Sequence, residues 1–156
     1  MEEEEKQAEA LLKEFKGENY TFGNKVLTRV GSYAAKLGNE VVIIAGNTAK
    51  KTSILDTVGN SIKSQGLDVS AVFHGAQANA PKEDVYRLAY QLSRSRWDCV
   101  VAIGGGSCID ASKAAVTLAI YGGIIEDYFG TGKVLEKSGG RQLPLIAVQT
   151  ASSSSS

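Results

Sequence analysis

The most suggestive spacing in this chain is Gly104-Gly105-Gly106-Ser107. These four residues directly follow an apolar run, residues 99–103 (CVVAI), and directly open a stretch, 107–120, that reads as a helix. Consecutive glycines admit positive φ and leave no Cβ between backbone N–H groups and an approaching phosphate. A helix N-terminus adds unpaired donors and partial positive charge. Ser107 can cap the helix or donate to a phosphate oxygen. A tight strand-to-helix turn that needs glycine for packing would use the same letters. Three glycines in a row exceed what such a turn requires, so anion binding is the favoured reading.

Other candidates fail. No G-x-G-x-x-G follows the first apolar strand, residues 41–45. Gly130-Thr131-Gly132-Lys133 has the look of a P-loop, but Val134 stands where a Ser or Thr is required, and residues 126–129 do not read as a strand. His74 is the single histidine, so a His-rich metal site cannot be built, and no motif supplies it with triad partners. It reads as a surface histidine at a strand end. Cys99 and Cys108 have neither a disulfide framework nor a zinc spacing and read as buried, reduced thiols.

The elements that must position the glycine loop follow from hydrophobic period. Residues 2–16 predict a helix with Ala8, Leu11, Leu12 and Phe15 on one stripe. Residues 20–22 are a short strand candidate. A second amphipathic helix carries Val26, Leu27, Val30, Tyr33, Ala34 and Leu37. Residues 41–45 (VVIIA) form a β-branched run, as expected of a strand covered on both faces, and a polar loop follows at 46–52. Ser53 with Asp56 looks like a cap, and the helix after it runs to Gly66. Residues 69–73 are the second strand, and Pro81 opens a third helix with Val85, Leu88, Ala89 and Leu92. Residues 99–103 and 144–148 supply two more strands. Four apolar strands alternating with helices predict parallel βαβ units with right-handed crossovers. In such an open sheet, ligands sit off the carboxyl ends of the strands, where the glycine loop must lie.

Composition removes whole classes of function. The 156 residues carry 17 basic and 17 acidic side chains, so no net field points to nucleic acid or an anionic membrane. The one charge block, residues 2–5, is acidic, no apolar run approaches the roughly 20 residues of a membrane span, and no secretory signal opens the chain. The expected compartment is cytoplasmic.

Residues 104–115 (GGGSCIDASKAA) resemble the G-G-G-S-x-x-D-x-A-K signature of the iron-containing alcohol dehydrogenase family. The resemblance runs from about Tyr20 to the last residue. Residues 20–23 (YTFG) are similar to that family's opening strand and turn. Ala78-Asn79-Ala80 stands where the family has Pro-Asn-Pro, and residues 127–129 (DYF) resemble the aromatic segment before a later loop. Residues 143–151 are similar to its P-x-x-A-x-P-T-T stretch, with Gln149 and Ala151 as departures and serines in place of a Gly-Thr-Gly-rich loop.

The resemblance implies an α/β fold: an open parallel sheet with flanking helices, Rossmann-like, the N-terminal half of a dehydroquinate synthase-like fold. Beyond the N-terminal helix (1–19) already read from hydrophobic period, it implies an NAD(P)-binding domain (20–156) and a helical C-terminal domain, outside this chain, whose aspartate and three histidines hold iron or zinc. By resemblance, Gly104, Gly105, Gly106 and Ser107 form the pyrophosphate loop, and Asn79 and Thr150 line the cofactor cleft. Asp110 either supports the glycine loop or is simply an acid favoured by the dipole of the first helical turn. Gly46 stands where NAD-preferring members carry an aspartate, and Gly46, Asn47 and Thr48 with Lys50 and Lys51 resemble the loops of NADP-using butanol-type relatives. The lysines just before the Ser53 cap would conflict with the dipole by about 0.3–1 kcal/mol, which a bound 2′-phosphate would resolve; otherwise they are two solvated lysines. The implied activity is hydride transfer between NADP (or NAD) and a small alcohol or aldehyde, with no nucleic-acid or membrane partner and self-association left open. The alternatives are a stand-alone dinucleotide-binding module and a dehydroquinate synthase sibling. Ser107 and the Asp110-to-Lys113 spacing favour the dehydrogenase branch.

Overall fold

The computed structural model describes residues 2–21, 23, 25–130 and 132–150. Its frame is a four-stranded sheet: β1 Glu40–Ala45, β2 Asp68–His74, β3 Cys99–Gly104 and β4 Leu145–Gln149. The spatial order is β2-β1-β3-β4 and every pairing is parallel. The helices are α1 Glu2–Lys16, α2 Val30–Ala34, α3 Asn47–Lys51, α4 Ile54–Ser64, α5 Lys82–Ser93, α6 Gly106–Tyr121 and α7 Lys133–Ser138. The expected open parallel sheet with helices on both faces is the fold.

Alternation along the central strands sorts their side chains into two cores. Val41, Ile43, Cys99, Val101 and Ile103 pack with Val30, Ala34, Val58 and Ile62 of α2 and α4. Val42, Ile44 and Val100 pack on the other face with Val85, Leu88 and Leu92 of α5 and Ala111, Ala115 and Val116 of α6. β1 and β3 are buried on both faces, which explains their uninterrupted β-branched runs. β2 is an edge strand, and its register against β1 shifts between Val41 and Val42. Ser70 is the extra residue, its hydroxyl donating to the Arg96 carbonyl at 2.9 Å. The shift turns Ala71 and Phe73 to the α5 face while Val69 stays on the α4 face.

Several local expectations are corrected. Tyr20 and Thr21 are not in a strand, and the Thr21 hydroxyl instead bonds the Tyr33 hydroxyl; Phe22 lies outside the described residues. The second helix begins as a 3-10 turn, Val26–Arg29, and α2 stops at Ala34. Residues 46–52 are not simply a loop, because Asn47–Lys51 closes one helical turn. Ser53 makes no side-chain cap to α4, whose first N–H reaches Thr52 Oγ1 at 3.5 Å. Pro81 stands just ahead of α5 in extended conformation rather than inside its first turn.

Candidate functional site

The strand order decides where a ligand can sit. The chain passes from β1 outward to β2, returns across β1 to β3, and continues outward to β4. Connections leave β1 and β3 in opposite directions, so a crevice opens between their carboxyl ends. Gly46 follows β1 and Gly104 ends β3, and the Gly46 N–H donates to the Ile103 carbonyl at 2.8 Å. Gly46 and Gly104, two of the nominated residues, therefore lie at the switch point.

The three glycines of the loop do different jobs. None adopts positive φ, so the conformational freedom expected of them is not used. Gly104 is needed for packing: an added Cβ would stand 2.7 Å from Cys108 Cβ and 3.0 Å from its Sγ. Gly105, in extended backbone as the N-cap of α6, has nothing within 4 Å of an added Cβ. Its lack of a side chain leaves open space that the protein does not fill. Behind it, the N–H groups of Gly106, Ser107 and Cys108 precede the first intrahelical bond, from Ile109 N–H to Gly105 O at 3.1 Å. That is a set of donors facing a side-chain-free space at the positive end of a 16-residue helix.

The neighbouring turns close on this loop. The Thr150 N–H donates to Gly104 O at 3.0 Å, which brings the end of β4 to the end of β3. The Asn79 N–H donates to Ser107 Oγ at 3.0 Å, so the turn after β2 rests on the first turn of α6. Ser107 thus accepts from the neighbouring turn instead of capping its own helix, and its hydroxyl proton stays available to an anion. Asn79 (φ 65°) and Ala80 (φ 46°) are both left-handed. Asparagine tolerates that region, whereas proline, fixed near −65°, could not occupy position 80 in this turn. The Ala80 departure from Pro-Asn-Pro has that structural counterpart.

Not every nominated residue joins the cluster. Asn47 and Thr48 open α3 and are exposed. Asp110 is the fifth residue of α6, beyond the first turn, and its half-exposed carboxylate lies 3.9 Å from Lys113 Nζ. Lys50 and Lys51 lie in the last turn of α3, not merely ahead of a cap, so the dipole conflict inferred from sequence is reversed there.

Three contributors escaped the sequence reading. Cys108 Sγ lies under the turns, near the Cβ positions of Gly46 (3.7 Å), Gly75 (2.6 Å) and Gly104 (3.0 Å). Burial pushes its thiol pKa up, and burial raises Cys99 to about 11, so neither is a ready nucleophile. Arg87 grips the turn after β2 through the His74 and Gly75 carbonyls, both at 3.0 Å. Asp84 braces Arg87 at 3.0 Å and accepts the Gln77 N–H at 2.9 Å; that backbone bond, then Arg87, holds its carboxyl below the ordinary range. A signal was present: Gly46, Gly75 and Gly104 each stand at or just after the end of a strand. An open depression of about 340 Å³ lined by Asp127, Lys133, Glu136 and Lys137 includes none of the nominated residues. Among the described residues, no three His, Cys, Asp or Glu side chains are grouped to hold a metal, and no helix is long and apolar enough to cross a membrane.

Fold and crevice together define a Rossmann-like α/β domain. The chain belongs to the iron-containing alcohol dehydrogenase family, whose family model matches residues 17–156. It is 30% identical over 135 residues to an NAD-dependent methanol dehydrogenase of Bacillus methanolicus, covering 86% of this chain and 34% of that protein. It is 34% identical over 106 residues to alcohol dehydrogenase 4 of Schizosaccharomyces pombe, covering 68% of this chain and 24% of the relative. Among solved structures, the NADH-dependent butanol dehydrogenase A of Thermotoga maritima superposes with a TM-score of 0.69 at 27% identity, covering 85% of this chain and 32% of that one. The chain spans about a third or less of the length of these relatives.

Proposed function

We propose that residues 20–156 form the NADP-preferring nucleotide-binding domain of an alcohol dehydrogenase that interconverts a small alcohol and its aldehyde or ketone. The observation that carries this reading is the empty space over Gly105, at the donor end of α6 and at the switch point of the sheet. Gly105, Gly106 and Ser107 would hold the pyrophosphate, with Asn79 and Thr150 along the cleft. Gly46, with no carboxylate to repel a 2′-phosphate, and the cations of α3 support NADP, although the methanol and butanol dehydrogenases named above are NAD- and NADH-dependent.

When bound, the cofactor supplies the hydride. This chain's residues fix its phosphates and keep its ribose end in register with the sheet. The iron of the family name finds no donor set among the described residues, so no step is assigned to a metal here. A metal-bearing helical domain outside this chain completes the proposal.

Titration of the 156-residue chain with NADP and with NAD, by calorimetry, tests the proposal. Tighter binding of NADP is the expected result; equal affinities or a preference for NAD would remove the specificity assignment. The same sample, supplied with iron or zinc and an alcohol, should show no turnover. Activity well above a Gly105→Val control would mean a metal site in this chain or between copies of it.

A further inference from the structure

One contact at the carboxyl edge is not explained by the glycine loop. Lys50 Nζ, on α3, stands 3.1 Å from Nδ1 of His74, the last residue of β2. Both side chains are exposed, and they meet at adjacent strand ends, since Ala45 and His74 are register partners. The backbone beneath them is tightly joined. The Gly75 N–H donates to the Ala45 carbonyl at 2.9 Å, and a Cβ on Gly75 would come within 3.2 Å of Gly46.

Two nitrogen groups that bind anions have thus been brought together, and the acid near them is already engaged. Asp84 lies within electrostatic range of His74, but its oxygens serve Arg87 and the Gln77 N–H. Arg87 in turn holds the His74 and Gly75 carbonyls, fixing the backbone that carries the imidazole. In the observed contact the ammonium donates and Nδ1 can only accept, so one nitrogen's donor capacity is unused. A phosphate oxygen placed between them would accept from the ammonium and, after a change of tautomer, from Nδ1–H. No proton need be taken up for that exchange. A ribose hydroxyl carries no charge and gains far less from the same pair.

We propose that Lys50 and His74 form a phosphomonoester seat that takes the 2′-phosphate of NADP, with His74 a specificity-determining residue. The inference rests on the nucleotide-binding reading above and adds to it a residue that sequence alone presented as an ordinary surface histidine.

The test uses the 156-residue chain and the variants His74→Gln, Lys50→Met and the double variant. NADP, NAD, 2′-AMP and inorganic phosphate are each titrated, and circular dichroism checks the fold. Each single substitution should weaken NADP about tenfold, the size expected of one charge-assisted hydrogen bond, while NAD changes less than about twofold. 2′-AMP should bind the parent chain and lose affinity in parallel with NADP. NADP and NAD weakening together, or neither changing, would overturn the seat while leaving nucleotide binding intact. Inorganic phosphate binding as tightly as 2′-AMP, with the same sensitivity to His74→Gln, would assign the pair to free phosphate and overturn the NADP role. A parent chain that binds neither dinucleotide would overturn the nucleotide reading and this inference with it.

Discussion

A Cβ added to Gly31 would stand 2.1 Å from the carbonyl oxygen of Ser61, whereas one added to Gly105 would meet nothing within 4 Å. Neither glycine uses left-handed backbone, so φ explains neither. At Gly31 the missing side chain lets α2 lie directly on α4. The Gly31 N–H reaches Ser61 Oγ at 2.9 Å, and that hydroxyl donates on to Thr28 O at 2.7 Å. At Gly105 the missing side chain lets nothing of the protein in. The first region uses glycine to pack against itself, and the second keeps a space clear beside unpaired donors. Clearance that coincides with the donor end of α6, rather than glycine content, is what the nucleotide-binding proposal takes to mark Gly105 as ligand-facing.

The sharpest way to break that contrast is Gly105→Val. The extended backbone at this position suits valine, and its methyls would fill the space assigned to the pyrophosphate. NADP affinity measured by calorimetry should fall at least about 100-fold, near 2.7 kcal/mol, with the melting temperature essentially unchanged. A folded variant that binds at parental affinity would show that no phosphate sits there.

Gly31→Ala should do the reverse. A methyl against the Ser61 carbonyl forces α2 off α4, an overpacking cost of about 1–3 kcal/mol. Thermal melting should drop by about 2–4 °C for each kcal/mol, while NADP affinity at a temperature where the chain is folded stays at the parental value. An unchanged melting temperature would show that the two helices adjust without loss.

Gly46→Asp sharpens the comparison with a glycine of intermediate kind. An added Cβ there meets Ile103 O, Gly104 Cα and Cys108 Sγ at 3.5–3.7 Å, ordinary contact distances, and φ is −71°. A Cβ is therefore tolerated, and on the nucleotide-binding proposal the carboxylate would lie against the ribose 2′ position. The ratio of NADP to NAD affinity should shift toward NAD by about tenfold, roughly 1.4 kcal/mol. A ratio that stays fixed in parallel titrations would detach position 46 from cofactor choice.

The amino-acid sequence by itself determined the alternating strands and helices, the two-sided burial of β1 and β3, and the placement of a glycine run between a buried strand and a helix. β-branched runs and hydrophobic period encode these within a single element, so each can be read locally. It also carried the family, through the likeness of residues 104–115 to that family's glycine-rich signature. Tertiary structure decided the rest. The order β2-β1-β3-β4 set the switch point between Gly46 and Gly104, and no periodicity reports strand order. Asn79 meets Ser107 across 28 residues and Lys50 meets His74 across 24, contacts created by parallel crossovers that return each turn to the same edge. The polar stretch after β1 became α3. Within the glycine run, only the position of Cys108 made Gly104 a packing residue and left Gly105 clear, because clearance around a Cβ belongs to the neighbours that the fold brings in rather than to the residue itself.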